Sequence, residues 1–515
     1  MAELVWRVGK HSGTCQLQTI NNITVDLQDE LLDDVEANLT IEPASRMFFN
    51  GYQSWTWSPE YTRQNAIRGL RRLPKRAVRE FELDRYGDYH FVSYSEKRGR
   101  FHGFSYCYFR NGDRFKLFGS LDEEPGYTIF YYDCATRNLQ IKRDSNGVRF
   151  TGKYKAFSLY YGEGTENEVF DGWFAALGIK PRTMEKLFGY SSWYNRYEDI
   201  SIQSIEDDLE ATKGILKEGD LFQIDDGWEP TVGDWLEADK NKFPDGMKPI
   251  CDKIHSYGYK SGLWLAPFAV TAKSRIYKEH KDWLLKHNGD IWADGSNWGG
   301  FYSLDLENQE VRKYITEVFD TVLNKWGFDL VKLDFLYAGA PFGDERKTRA
   351  AKMIDAMKWL RELCGDKLIL GCGVPLMPAF GLVDYCRIGC DVGLDWDDRL
   401  YMRIIHRERV STAHSISNTI NRRHLNFRAF LNDPDVFFLR EDNLKLNEQQ
   451  KEYLYTVNAL FSGILLTSDN FSSYNADKKK LISRIRKLTS ADNVKVYKDR
   501  ITYDFEGRHL AIGRK

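Results

Sequence analysis

The sequence predicts a multidomain β plus α/β protein: an N-terminal antiparallel β-sandwich, a (β/α)8 TIM barrel and a short C-terminal β segment. Three observations carry that prediction. The first 180 residues read as short alternating strands broken by turn signals. After Pro181, compact apolar runs alternate with amphipathic segments. Two of the later runs end in a carboxylate, the placement that barrel sites use. At 515 residues, two or three domains are expected, bounded at 1–180, 181–488 and 489–515.

In the sandwich, Phe115-Lys116-Leu117-Phe118, Tyr127-Thr128-Ile129-Phe130-Tyr131-Tyr132 and Ala156-Phe157-Ser158-Leu159-Tyr160-Tyr161 are aromatic and β-branched. Asn111-Gly112-Asp113 and Ser145-Asn146-Gly147 are the turns between such runs. The pattern is that of a two-sheet sandwich. No helix is expected before residues 167–177.

In the barrel, strands are expected at Leu187-Phe188-Gly189-Tyr190, Leu221-Phe222-Gln223-Ile224-Asp225, Gly262-Leu263-Trp264-Leu265, Leu330-Val331-Lys332-Leu333-Asp334, Leu368-Ile369-Leu370-Gly371-Cys372, residues 385–391 and Gly463-Ile464-Leu465-Leu466-Thr467. An eighth is expected near residues 426–432. Helical segments such as 204–216 and 309–325 lie between them, which implies right-handed crossovers and a parallel sheet. A doubly wound open sheet is the rival, but no GxGxxG follows an early strand. The chain is expected to finish in a strand pair, Val494-Lys495-Val496-Tyr497 and Ile501-Thr502-Tyr503-Asp504-Phe505.

Composition excludes several classes. Lys plus Arg number 73 against 75 Asp plus Glu, a net charge of −2, so no basic field exists to hold nucleic acid. No apolar run approaches the roughly 20 residues of a membrane helix. The start, Met1-Ala2-Glu3-Leu4-Val5-Trp6, has no signal-peptide pattern. Eight scattered cysteines without CxxC spacing read as buried thiols in a reducing compartment, so a cytoplasmic chain is expected. Aromatics make up 14% of residues, which suits both a β-rich core and stacking on sugar rings.

Two carboxylates end separate strands, Asp334 and Asp391. A nucleophile and an acid/base flanking one sugar are what a retaining glycosidase requires. Lys332 lies two residues before Asp334 and faces the same way, so it is expected to keep that carboxylate ionised. The bland reading is a structural ion pair. Asp391 sits among Asp395, Asp397 and Asp398, like charges that suit a group starting protonated; an acidic solvated loop is the bland reading. Arg387, four residues earlier, meets the same sugar only if the chain bends, which Gly389 permits. Asp225-Asp226-Gly227-Trp228 closes another strand with hydroxyl-binding carboxylates; a metal is the competing use, but no histidine lies nearby. Trp264 and Trp193 offer flat walls for a pyranose, or else plug the barrel. Cys372, between Gly371 and Gly373, marks a close approach and lacks the basic partner of a thiol nucleophile.

Taken in order, these segments resemble glycoside hydrolase family 36, the α-galactosidases. The resemblance runs from Asn50-Gly51-Tyr52-Gln53-Ser54-Trp55 to Thr467-Ser468-Asp469. Between them lie Gly189-Tyr190-Ser191-Ser192-Trp193-Tyr194, Gly233-Asp234-Trp235, Trp264-Leu265-Ala266-Pro267-Phe268, Lys332-Leu333-Asp334-Phe335-Leu336-Tyr337, Gly371-Cys372-Gly373, Arg387-Ile388-Gly389-Cys390-Asp391 and Leu431-Asn432-Asp433-Pro434-Asp435. The resemblance implies a retaining exo-glycosidase that removes terminal α-linked galactose without metal or organic cofactor. Asp334 would be the nucleophile and Asp391 the acid/base. Asp225 and Asp226 would hold the 4- and 6-hydroxyls, Lys332 the 3- and 4-hydroxyls, and Cys372 and Arg387 would lie near position 2. Trp193 and Trp264 would wall the pocket, and Trp55 would reach over the mouth from the sandwich. Cys390 stands where proline or asparagine is usual, and the C-terminal sheet is expected to be cut to one hairpin. The implied partner is a small carbohydrate, with self-association left open. An α-N-acetylgalactosaminidase is the rival on the same scaffold, and a non-catalytic sugar-binding protein the rival from another class.

Overall fold

The computed structural model describes residues 3–145, 147–397 and 407–513. Asn146 of the second turn signal and Asp398 of the acidic run lie outside the described residues.

The N-terminal part is a sandwich of two six-stranded antiparallel sheets. One sheet runs His11–Gln16, Glu3–Val8, Val35–Thr40, Asn138–Asp144, Tyr127–Asp133, Arg100–Phe104. The other runs Ile20–Leu31, Arg149–Gly164, Arg114–Ser120, Tyr106–Asn111, Arg46–Phe49, Glu60–Tyr61. Period-2 sequence becomes period-2 burial: Ile23, Val25 and Leu27 point inward while Asn22, Thr24 and Asp26 face water. The helix Glu166–Leu177 follows, opened by a capping box between Thr165 and Glu168 and closed by Gly178 in the left-handed region.

One expectation fails here. Residues 62–99 leave the sandwich between two of its strands and carry a six-residue helix, Lys75–Glu80. Pro74 starts it, but none of its residues is buried, so it has no apolar stripe for a helical period to reveal.

The barrel strands are β1 (Leu187–Ser191), β2 (Leu221–Ile224), β3 (Lys260–Leu265), β4 (Leu330–Leu333), β5 (Leu368–Gly371), β6 (Tyr385–Arg387), β7 (Leu431–Asp433) and β8 (Ile464–Thr467). β1 to β7 pair in parallel in that order, and β8 pairs in parallel with β1. Apart from Lys260 and Leu368, which are half-buried at the starts of their strands, every residue in them is buried, as a sheet covered on both faces requires. Closure depends on a broken strand. Leu431–Asp433 pairs with β6, and Val436–Phe437 pairs with β8. Between them Pro434 has no N–H to donate and Asp435 takes φ 72°.

The predicted strand 385–391 is cut to Tyr385–Arg387. The chain then turns away, with Ile388 N–H donating to Asp433 O at 3.0 Å. Gly389 serves this bend by allowing close packing. A Cβ there would sit 3.3 Å from Asn418 Cβ and Ser415 Cα on the helix Thr412–Asn421. The segment expected near 426–432 forms its strand only from Leu431. Of the stretch 204–216, the helix covers Ile202–Ala211 and the remainder is turn. The C-terminal hairpin gains a third strand: Asp492–Val496, Arg500–Phe505 and Arg508–Gly513 form an antiparallel meander.

Sandwich and barrel are joined by the buried loop 50–58. Arg422, wholly buried, donates from Nη1 to Ser54 O (2.6 Å) and Ile388 O (2.9 Å) and from Nε to Asn50 Oδ1 (2.9 Å). Ser54 N–H donates to Val374 O at 2.9 Å. These bonds fix Trp55 against the barrel mouth.

Candidate active site

A cavity of about 730 Å³ opens where β2, β3 and β4 end. Asp334 and Asp391 both line it, with Asp225, Asp226, Lys332, Trp55, Trp193 and Trp264. Its outer wall is apolar and comes from the excursion of the sandwich: Leu73, Ala77, Phe81, Leu83 and Tyr86.

Asp334 follows β4 directly. The next residue, Phe335, has φ 53°, which turns its N–H onto Asp334 Oδ1 (2.9 Å). Trp264 Nε1–H donates to Oδ2 (3.1 Å). Both carboxylate oxygens are thus oriented by donors. A bulky residue in the left-handed region costs about 1–3 kcal/mol, strain of the kind held at functional sites. Phe335 needs Gly373 beside it: a Cβ on Gly373 would lie 3.0 Å from Phe335 N and 2.9 Å from the Trp55 ring. That is the close approach the Gly-Cys-Gly run signalled.

Lys332 does not pair with Asp334 as expected. Its long stem carries Nζ across the barrel to Asp225 Oδ2, 2.9 Å away, with both side chains buried. Burial pulls the ammonium's pKa down, but Asp225 and then Asp334 outweigh it and raise it. Gln223 Nε2 also donates to Asp225 Oδ2, at 2.8 Å.

Asp391 leaves the bend after β6, and its side chain is 41% exposed. The acidic neighbours expected to crowd it are paired elsewhere: Asp395 with Lys445 (3.2 Å) and Asp397 with Arg409 (3.4 Å). Its partner is Arg387, Nη1 to Oδ1 at 2.7 Å. Neither Arg387 nor Cys372 lines the cavity. Arg387 is buried beneath Asp391, donating also to Asp433 (3.3 Å) and Asp435 (3.0 Å). Cys372 lies behind Trp55, whose Nε1–H points to its Sγ at 3.3 Å; burial pushes that thiol far up.

Sequence reasoning missed three contributors. Trp298, with φ 55°, donates from Nε1 to Asp226 Oδ2 (2.8 Å) and packs on Phe335 and Trp264. Its signal was a tryptophan set in the turn Ser296-Asn297-Trp298-Gly299-Gly300. Asp435 accepts from Arg387 and from Tyr194 Oη (2.7 Å); burial raises it to about 6, Arg387 opposing and Asp391 adding to the rise. Glu229, three residues after Asp226, had no motif to mark it. Among the described residues no group of three His, Cys, Asp or Glu side chains is placed to hold a metal ion.

Fold and site define a class: TIM-like barrels with carboxylates at the ends of separate strands and a β-sandwich packed over the mouth. Residues 186–356 match the family model described as Melibiase. The α-galactosidase Mel36A of Lactobacillus acidophilus is 31% identical over 151 residues, 28% of this chain and 20% of that protein. The α-galactosidase AgaA of Geobacillus stearothermophilus is 28% identical over 160 residues, 30% of this chain and 21% of that protein. The match thus spans about a fifth of these curated relatives' length. The structure of TtGalA, an α-galactosidase from Thermus thermophilus in complex with p-nitrophenyl α-D-galactopyranoside, superposes with a TM-score of 0.78 at 25% identity, covering 99% of this chain and 98% of that one. The family 36 enzyme AgaA superposes at 0.60 and 12% identity, covering 93% and 69%, a likeness of fold alone. The chain is thus similar to α-galactosidases in residues 186–356 and in its whole fold, the family 36 enzyme AgaA among them.

Proposed function

We propose that the protein is a retaining exo-α-galactosidase. Asp334 attacks the anomeric carbon while Asp391 protonates the leaving oxygen; Asp391 then activates the water that releases the covalent intermediate. The observation that carries this reading is that both carboxylates line one cavity, Asp334 held by two donors and Asp391 open to solvent beside Arg387. Asp225, Asp226 and Lys332 take the sugar's hydroxyls, with Trp193, Trp264 and Trp55 as walls. No metal or organic cofactor enters these steps. The Thermus thermophilus relative is described with p-nitrophenyl α-D-galactopyranoside and with stachyose, which supports a terminal α-galactose as substrate.

Trapping with a fluorinated α-galactosyl donor tests the reading: the labelled peptide should contain Asp334. An α-N-acetylgalactosaminidase is the second reading, because neither Cys372 nor Arg387 fills the cavity near position 2. Comparing hydrolysis of the nitrophenyl α-galactoside with that of its N-acetylgalactosaminide decides between them. Turnover of neither, with galactose still bound, would show a sugar-binding protein.

The domain bounds 1–180, 181–488 and 489–515 are proposed with this function, the first two supplying opposite walls of the cavity. Eight cysteines with no disulfide support a reducing, cytoplasmic setting. Among the described residues no helix is long and apolar enough to cross a membrane. Self-association is testable by sedimentation.

A further inference from the structure

Two cavities meet at the end of β2. The second, of about 870 Å³, adjoins the first, and Glu198, Asp226 and Trp298 stand in the walls of both. Glu229 faces the second cavity on the turn after Asp226 and is 6% exposed. Its Oε2 is buried and accepts no hydrogen bond, and the Asp226 carboxyl group stands beside it in the same cavity wall. Two carboxylates cannot bond to each other without a proton between them.

We propose that Glu229 keeps a proton between its own carboxyl group and that of Asp226, and is thereby a positioning residue that fixes Asp226 as an acceptor turned into the sugar cavity. What Asp226 binds rests on the proposed function; the shared proton does not.

The surroundings favour the protonated pair. Burial raises Asp226 to about 6, with Trp298 opposing and the charges of Asp225 and Glu198 adding to the rise. Burial and then Asp226 push Glu229 well above the usual carboxylate range, against hydrogen bonds from its own backbone and that of Gly227. Most of the cations nearby are committed elsewhere. Lys332 is taken by Asp225 (2.9 Å). Lys242 Nζ donates to the carbonyls of Glu198 and Gly227, both at 2.8 Å. Arg275 pairs with Glu237 at 3.3 Å, and Lys278 Nζ donates to Lys273 O at 2.6 Å. Lys273 and the acids Asp234, Asp239 and Glu279 complete the charged wall of the second cavity. Among the described residues none of these cations pairs with Asp226 or Glu229.

When pH rises far enough to remove the proton, the two charges repel and Asp226 loses its orientation. Substrate binding then weakens more than the chemical step.

The test compares wild type, Glu229→Gln and Glu229→Ala. Gln keeps a donor toward Asp226 but has no proton to lose. A carboxylic-acid carbonyl stretch should appear in the infrared difference spectrum of wild type minus Glu229→Gln at neutral pH. With p-nitrophenyl α-galactoside, KM of wild type should climb at alkaline pH while that of Glu229→Gln stays flat. Glu229→Ala should raise KM at least about threefold at neutral pH with kcat changed less. Absence of the carbonyl band, or the same KM–pH curve for wild type and Glu229→Gln, overturns the proposal. If Glu229→Ala does not fold, the Gln comparison decides. A band without any α-galactoside turnover leaves the shared proton standing and removes the proposed function instead.

Discussion

Arg387 Nη1 lies 2.7 Å from Asp391 Oδ1, and the same guanidinium is held by Asp433 and Asp435. Three carboxylates therefore share one buried cation. The one among them that lines the cavity is Asp391, so its place is set from beneath by a buried group that does not line it.

If Asp334 and Asp391 act as proposed, that arrangement predicts separable roles for the two carboxylates. Asp391→Ala should lower kcat on oligosaccharides by about 10²–10⁴-fold, the usual worth of general acid–base assistance. Added azide should restore turnover in both variants but give different products. Asp391→Ala retains the nucleophile and should yield the α-azide after two inversions. Asp334→Ala permits only direct attack and should yield the β-azide. Proton NMR of the anomeric centre distinguishes them, and the opposite assignment would exchange the roles.

Removing Lys332 should unbalance the buried end of β2. Lys332→Met leaves Asp225 charged and unpaired, which costs about 3–5 kcal/mol at buried pairs. Adding Asp225→Asn should recover part of that loss. Urea unfolding of the two single variants and the double variant measures the coupling; simple additivity would show that the pair is not an energetic unit.

Trp55 should matter for activity although it belongs to the sandwich. Trp55→Ala removes a ring packed on Phe335 (5.0 Å between centroids) and opens one wall of the cavity. The expected loss of about 1.5–3 kcal/mol corresponds to roughly ten- to hundredfold in kcat/KM. Steady-state kinetics with an α-galactoside reads it.

Asp294 gives a pH prediction for stability. It accepts from Ser303 Oγ (2.7 Å) and Trp292 Nε1 (3.0 Å), and burial raises it to about 7. The folded state therefore binds this proton more tightly than the unfolded chain does. Its contribution is complete below the ordinary carboxylate range and is lost as pH rises through about 7. Asp294→Asn should remove that slope, so the variant gains on wild type in melting temperature between pH 5 and pH 8. Parallel melting curves across that interval would refute it.

Much of this was legible in the sequence because it rests on short-range patterns. Alternation gave the sandwich strands, and apolar runs gave the staves, including the carboxylates at their ends. What escaped had no local signature. The helix Lys75–Glu80 buries nothing, so its role as cavity roof shows only when the sandwich is set on the barrel. Lys332 faces the same way as Asp334 on its strand, yet it bonds to Asp225, because the choice belongs to side-chain reach across the barrel. Asp435 stood in a segment that carried resemblance but no assigned chemistry, and its tie to Arg387 joins residues 48 positions apart. Glu229 became visible only through burial against Asp226.

The interruption at Pro434-Asp435 has an evolutionary corollary. The backbone irregularity that lets the last staves join also delivers the Asp435 side chain to Arg387. A lineage cannot smooth that stave into a regular ladder without rewiring the charge network under Asp391. Barrel closure and the placing of Asp391 are therefore coupled, and substitutions at these two positions should be tolerated only in concert.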